Sequence, residues 1–445
     1  MAEVEKASAA VRRRADGANG ANSAGDDAVR AKREKKKADH ATRMLYTWLM
    51  VAVLLTVLYC GHVAICVFVF LCGAAIFNEV LGLGTPPRDA AGTTGVHLHM
   101  INWGFFLTAA YLTYGKSVLA HFSEQGVRVA QLRAVQLLMR HHSFVAFCLY
   151  TAFFLAFVLT LRPGAYRLQF GAFARAHITG LLVLLATSMT VLNIKNGLVW
   201  FLLPATLVII NDSFAYLVGR RFGKTPLVAL SPNKTVEGFL GGAFATLVVA
   251  SAAAFLLSRP SLPLPMLYCP KRSFSDCAAL LCRVQCARPP LFTPARLSIP
   301  PGHELVQRVS DTLSLPTLKL APIQLHALAL ALFASVIAPF GGFFASGLKR
   351  AFGVKDFADL IPGHGGVTDR MDCQLLMAVF TYVYSINFVA AHAPDVEMLS
   401  ALAMELARSE QLELLGELAA ALAARGVDVS AVVAGAIGDA LANAR

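Results

Sequence analysis

The chain has 445 residues, of which 56% are hydrophobic and 15% charged. That composition cannot supply the polar surface a soluble fold of this size needs, so soluble globular classes are excluded and an integral membrane protein is expected. The formal net charge of +12 fits cytoplasmic Lys/Arg facing anionic lipid, and no basic patch interleaved with aromatics points to RNA or DNA.

Residues 1–43 are rich in Ala, Gly, Asp and Lys without apolar periodicity, and are expected to be a disordered basic tail. Arg30 to Arg43 carries seven basic and two acidic residues directly before the first apolar run, which places this end in the cytoplasm. The run starts too late for a cleaved signal peptide. Apolar runs follow at 45–60, 62–80, 100–118, 143–161, 173–192, 195–211, 237–257, 322–346 and 374–392. Only helices and closed barrels span lipid, and these lengths suit helices. The expected fold is therefore all-α and polytopic, with about nine transmembrane helices over 44–392. Asn78-Glu79 closes the second run with polar residues near an interface. The loop 119–142 is basic, against strict alternation, and suits an amphipathic interfacial helix.

Asn211 to Gly242 is a polar concentration. Asp212 ends an apolar run, and a carboxylate there is costly against lipid, so it faces protein, water or a cation. Ser231-Pro232 has the form of a helix N-cap followed by Pro at the first helical position. Lys234 then falls in the first turn, where the helix dipole disfavours a cation unless an anion is bound, and Ser231 and Lys234 suggest a phosphate site. Residues 258–321 form a Pro-rich loop holding Cys269, Cys277, Cys282 and Cys286, with spacing that suits disulfides in an oxidising lumen better than zinc. Two crossings separate Asn211–Gly242 from the next polar stretch, so both lie on the side of the basic tail and the Cys loop lies opposite. Residues 393–445 have helical periodicity through Leu402, Met404, Leu406, Leu412, Leu415 and Leu418, suited to packing or surface association.

The densest polar stretch is Ser346 to Asp372, SGLKRAFGVKDFADLIPGHGGVTDRMD, with eight charged residues in 27 positions. Asp369 and Asp372 are three apart, on one face of a helix entering the last run, a spacing suited to Mg²⁺ with Asp356 as a further ligand. Asp359 has the character of a surface position. Lys349, Arg350, Lys355 and Arg370 can neutralise anions, although snorkelling at a membrane edge also explains such residues. Glycines flanking His364, with Gly365 and Gly366 after it, let the backbone approach a ligand and expose N–H groups, and His364 suits a donor role to phosphate. No P-loop and no Ser-His-Asp order is present. Carboxylates, cations and glycines on two segments at one membrane edge fit phosphoryl or nucleotidyl transfer.

Ser346 to Asp372 resembles the signature of the phosphatidate cytidylyltransferases, or CDP-diacylglycerol synthases. Its pattern is Ser-x-apolar-Lys-Arg, Lys-Asp after four residues, Pro-x-His-Gly-Gly and Asp-Arg-apolar-Asp, and each fixed position is met. Asn211–Gly242 resembles the family's other segment through Asn211-Asp212, Phe222-Gly223, Thr225-Pro226-Leu227 and Leu230-Ser231-Pro232. It departs at Asn233, where Lys is usual, and at Val236, where Trp is usual. The likeness spans about 45–425, includes Tyr166 to Phe170, and is greatest to the eukaryotic branch. It implies transfer of CMP from CTP to phosphatidate with Mg²⁺, giving CDP-diacylglycerol and pyrophosphate for phosphatidylinositol, phosphatidylglycerol and cardiolipin synthesis. It implies Mg²⁺ on Asp356, Asp369 and Asp372, and phosphate contacts from the four cations, with Asn211, Asp212, Ser231, Lys234, Ser346, Gly365 and Gly366 toward substrate. The endoplasmic reticulum is the implied membrane, with the site facing the cytoplasm; homodimer formation is left open. A CTP-dependent lipid kinase and a transporter or lipid scaffold stand as alternatives.

Overall fold

A computed structural model describes residues 41–84, 88–124, 132–228, 230–261, 265–269, 288–296, 319–389, 403–404, 406–424 and 426. The expected basic tail therefore lies outside the described residues, apart from its last three positions. The chain forms two compact units, Met1–Tyr384 and Ser385–Arg445.

Unit one is helical. In order come α1 (Ala41–Cys60), α2 (His62–Gly82), α3 (Arg88–Glu124), α4 (Arg133–Arg140), α5 (His142–Leu159), α6 (Tyr166–Asn196) and α7 (Val199–Phe222). A hairpin of β1 (Pro226–Val228) and β2 (Ser231–Thr235) precedes α8 (Val236–Ser258). After α9 (Pro265–Tyr268), β3 (Ala295–Arg296) pairs with β4 (Lys319–Leu320), and α10 (Pro322–Val336), α11 (Pro339–Ala351) and α12 (Thr368–Phe388) follow. Among the described residues, seven helical segments are long and apolar enough to cross a membrane. The runs at 100–118 and 374–392 fall on α3 and α12, which are helical but not among those seven.

Three boundaries differ from the expected runs for physical reasons. α7 continues past Pro204 and ends only before Gly223, so Asn211-Asp212 lies within the helix rather than at its end. The run 322–346 is broken before Pro339, whose ring cannot donate an N–H, so Phe333 O accepts from both Ile337 and Ala338. Gly197 turns α6 into α7 at a φ of 131°, a backbone conformation that a side chain disfavours. The basic loop after α3 does contain the short helix α4.

Small residues let the helices approach. α8 buries Gly238, Gly242, Thr246, Ala250, Ala254 and Ser258, a stripe with a four-residue period. A Cβ at Gly242 would stand 2.9 Å from the Asn211 carbonyl of α7, and one at Gly238 2.6 Å from that of Ala215. A buried cluster joins Ile76, Phe77 and Val80 of α2, Phe106 of α3, Ala176 and Val183 of α6, Ala345 of α11 and Phe357. It is the floor beneath the loop between α11 and α12. Large apolar side chains such as Leu159, Leu181, Phe244 and Phe344 are exposed around the bundle, as lipid-facing positions are.

The Cys loop lies mostly outside the described residues. Within it Cys269 is disulfide-bonded, whereas Cys277, Cys282 and Cys286 lie outside the described residues. In unit two, α13 (Arg408–Ala424) carries Leu412, Leu415 and Leu418 exposed, and Glu410 accepts from the Ala407 N–H ahead of its first turn. Met404 and Leu406 are exposed also, and Leu402 lies outside the described residues.

Candidate functional site

One wall is α7, the hairpin and the start of α8. Asn211 is buried; its Oδ1 accepts from Thr246 Oγ1 at 3.5 Å and lies against Gly242, so it fastens α7 to α8. Asp212, one residue on, is exposed and forms no hydrogen bond or ion pair among the described residues. The hairpin overturns the expected helix start. Residues 231–235 pair with β1, so Ser231 is in a strand, and Thr235 is the N-cap, accepting from Gly238 N at 3.2 Å. Val236 N donates to Thr225 O. Glu237 turns back to accept from the Lys224 and Thr225 N–H groups and the Thr225 hydroxyl, folding the basic loop onto the helix. Among the described residues, the Val236 and Gly238 N–H groups at the helix start are thus engaged by the chain itself.

The other wall is α11, the loop after it and α12. Pro362 to His364 makes a tight turn, with Ile361 bridged to Gly365 and Gly363 and Gly365 at φ of 76° and 80°. Five consecutive N–H groups here have acceptors within the chain. Those of His364 and Gly365 donate to Ile361 O, Gly366 to Asp369 Oδ2 at 3.1 Å, and Val367 and Thr368 to Glu79 at 2.8 Å each. The expected open nest is therefore absent. Gly365 and Gly366 are required for close approach instead: a Cβ would come within 3.1 Å of Asp369 Oδ2 and 2.6 Å of Glu79 Oε2 respectively.

Asp369 is fully engaged. Its Oδ1 accepts from Lys349 Nζ at 2.6 Å, and its Oδ2 from the N–H groups of Phe357 and Gly366. Asp356 lies beside it at Gly365, with no hydrogen bond or ion pair among the described residues. His364 turns its ring away: Nε2 meets Thr47 Oγ1 of α1 at 3.2 Å, while its carbonyl accepts from Arg370 Nε and Nη2. Ser346 Oγ donates to Gly342 O in its own helix. Arg350, Lys355 and Asp359 are exposed.

The walls meet at Gly342 of α11. Asp372 Oδ2, Cys373 Sγ and Lys234 Nζ all lie within 3.4 Å of the point where a Cβ would stand. Lys234 Nζ is 4.5 Å from the Phe343 ring centroid, which holds it by cation–π attraction. Asp212 is within electrostatic range of Lys234, Asp372 and Arg370, and Asp372 of Lys234 and Lys349. Asp212 of α7 and Asp372 of α12 are thus in electrostatic reach of Lys234, with Arg370 in reach of the first and Lys349 of the second, where the two walls of this cleft meet.

The expected metal set of Asp356, Asp369 and Asp372 is divided in this structure, Asp369 pairing with Lys349 and Asp356 lying beside it at Gly365 while Asp372 reaches Gly342. Among the described residues no group of three His, Cys, Asp or Glu is gathered to hold a metal, and Lys349 stands where a cation would neutralise Asp369. The donor chemistry nevertheless fits Mg²⁺ at Asp212 and Asp372. Mg²⁺ is commonly held by one or two carboxylates with substrate phosphates completing its shell, and the Asp372 carboxylate, which accepts from Cys373 N through Oδ1, brings Oδ2 to the Gly342 cluster.

Glu79 was missed as a site residue by the sequence reading. The signal was present: the stretch from His62 to Asn78 has no charged residue before it, and a carboxylate at the end of such a run requires a partner.

The Cytidylyltransferase family profile matches residues 41–388. The chain is 38% identical over 389 residues to the putative phosphatidate cytidylyltransferase of Schizosaccharomyces pombe, covering 86% of this chain and 84% of that one. It is 40% identical over 358 residues to phosphatidate cytidylyltransferase 1 of Arabidopsis thaliana, covering 80% of each. It is 36% identical over 405 residues to the phosphatidate cytidylyltransferase of Saccharomyces cerevisiae, covering 90% of this chain and 84% of that one. With its site built from the segments that carry the resemblance, this chain belongs to the cytidylyltransferase family.

Proposed function

We propose that the chain transfers the CMP moiety of CTP to phosphatidate, giving CDP-diacylglycerol and pyrophosphate. The observation that carries this reading is the cluster at Gly342, where Lys234 and Asp372 converge from two walls within electrostatic range of Asp212. A phosphate oxygen of phosphatidate attacks the α-phosphorus of CTP; the new P–O bond forms as the α–β bridging bond breaks, and pyrophosphate leaves with the electron pair. The nucleophile is already anionic at neutral pH, so no strong general base is required. Lys234, Lys349 and Arg370 offset charge on the transferring and leaving phosphates, with Arg350 and Lys355 on the exposed rim. Asp212 and Asp372 would hold Mg²⁺, which supplies further charge neutralisation on the triphosphate. Asp369 acts through Lys349, keeping its ammonium at the cleft.

The start of α1 and the site share one side, which we assign to the cytoplasm, and the endoplasmic reticulum is the membrane we propose. The test is incubation of purified protein in mixed micelles with CTP, phosphatidate and Mg²⁺. CDP-diacylglycerol and pyrophosphate in equal amounts are expected, and both vanish with a chelator. CDP with a newly phosphorylated lipid alcohol would overturn the reading in favour of a lipid kinase. No CTP consumption would overturn it in favour of transport.

A further inference from the structure

We propose that Glu79, at the end of α2, is a positioning residue of the reaction: it holds the start of α12 in the register that presents Asp369, Arg370 and Asp372. The inference rests on the transferase reading of that cleft. Glu79 is 6% exposed. Its Oε1 accepts from Val367 N at 2.8 Å, and its Oε2 from Thr368 N at 2.8 Å and Thr368 Oγ1 at 2.6 Å. All three donors belong to two adjacent residues 288 and 289 positions away in sequence.

The arrangement does three things. It satisfies N–H groups at a helix N-terminus with a carboxylate, the favoured sign of charge for the dipole. It makes the bonds charge-assisted, about twice as strong as neutral ones. And it pins the chain one residue before Asp369, whose Oδ2 simultaneously draws in the Gly366 N–H. Glu79 and Asp369 thus grip one short segment, 366–368, from opposite directions, and Asp372 follows one helical turn later. A Cβ at Gly366 would come within 2.9 Å of all three carboxylate atoms of Glu79, so the grip leaves no slack. Among the described residues, the hydrogen bonds of Glu79 all go to this backbone and to Thr368 rather than to the residues at Gly342.

The consequence is kinetic. Glu79→Gln keeps size and one acceptor oxygen but places an amide NH₂ against a backbone N–H, loosening the segment. The expected result is a kcat lowered at least tenfold, with KM for CTP and phosphatidate within threefold of the parent and a raised half-saturating Mg²⁺ concentration. Thr368→Val, which removes only the hydroxyl donor, lowers kcat by a smaller factor, Thr368→Ser restores it, and Glu79→Gln/Thr368→Val is no slower than Glu79→Gln alone. A residue that only stabilised the fold would reduce the folded fraction while leaving kcat per folded molecule and the Mg²⁺ dependence unchanged. Parental kcat in folded Glu79→Gln overturns the inference. If that variant does not fold, parental kcat in Thr368→Val overturns it. Failure of the parent protein itself to form CDP-diacylglycerol would instead refute the transferase reading.

Discussion

Asp369→Asn separates the role of a metal ligand from that of a strut. The Lys349–Asp369 side chains are 16% and 5% exposed and 2.6 Å apart. Asparagine can still accept from the N–H groups of Phe357 and Gly366 through its oxygen, but it turns an NH₂ toward the Lys349 ammonium. Removing one partner of a buried pair costs about 3–5 kcal/mol; with Lys349 partly open to water the low end applies, about 3 kcal/mol, or roughly a hundredfold in the folded population. The assay is a double-mutant cycle of Asp369→Asn, Lys349→Met and both together, followed by thermal unfolding in detergent and by turnover. A strut predicts that the double variant is far less destabilised than the sum, with a coupling of about 1–3 kcal/mol. Additive stability losses, together with loss of Mg²⁺ dependence in Asp369→Asn alone, would refute the reasoning and return Asp369 to the metal.

Lys234→Met should lower kcat/KM by about 10²–10³ while shifting the unfolding midpoint little, because Lys234 forms no ion pair among the described residues and methionine still packs on Phe343; steady-state kinetics against CTP checks this. Gly342→Ala should reduce turnover about tenfold by placing a methyl between Asp372, Cys373 and Lys234. Gly347→Ala, whose Cβ would meet among the described residues only Leu230 at 3.9 Å, should keep turnover within about twofold and gain about 0.4–1 kcal/mol of stability. In sealed vesicles a membrane-impermeant maleimide should label Asp359→Cys from the same side as Ala38→Cys, and opposite labelling would refute the shared sidedness.

Much of the helical fold was legible because apolar runs of about 20 residues have few alternatives. The breaks were less legible. Pro339 interrupts an unbroken apolar run, and α7 runs on through Asp212 because its polar residues are as compatible with a helix as its apolar ones. In the site, residue identity was readable and partnership was not. Asp369 and Asp372 at a three-residue spacing suggested one cation between them; the fold instead gives Asp369 to Lys349 and turns Asp372 toward Lys234. Ser231-Pro232 has the local form of a cap, but strand pairing with Pro226–Val228 prevailed and Thr235 took that place. His364 between glycines suggested an open nest, yet its neighbours' N–H groups answer to Ile361, Asp369 and Glu79, partners that local spacing cannot reveal. Glu79 is the extreme case, since it lies 288 positions from its first donor.

Sidedness needs no count of crossings. The first turns of α1 reach the Pro362–Gly366 turn, through Thr47 to His364 and through Arg43, whose Cγ would lie 2.8 Å from a Cβ at Gly363. The last turn of α2 reaches the same segment through Glu79. One hairpin thus leaves and returns at a single level of the membrane. The α6–α7 pair repeats this: Arg175, early in α6, lies over the Phe352 ring at 5.7 Å, and Asp212, late in α7, faces Lys234. α11 ends and α12 begins there too. Whether α3 and α12 are counted as crossings changes none of these contacts. A lipid phosphate can meet a nucleotide only at headgroup depth, because charged groups are expelled from the hydrocarbon. Helix ends gathered at one face place fixed cations at that depth, with water on one side and acyl chains on the other. Arg43, at the start of α1, reaches this same face, so the sidedness of the site is that of the start of α1 and does not depend on the parity of the spans between.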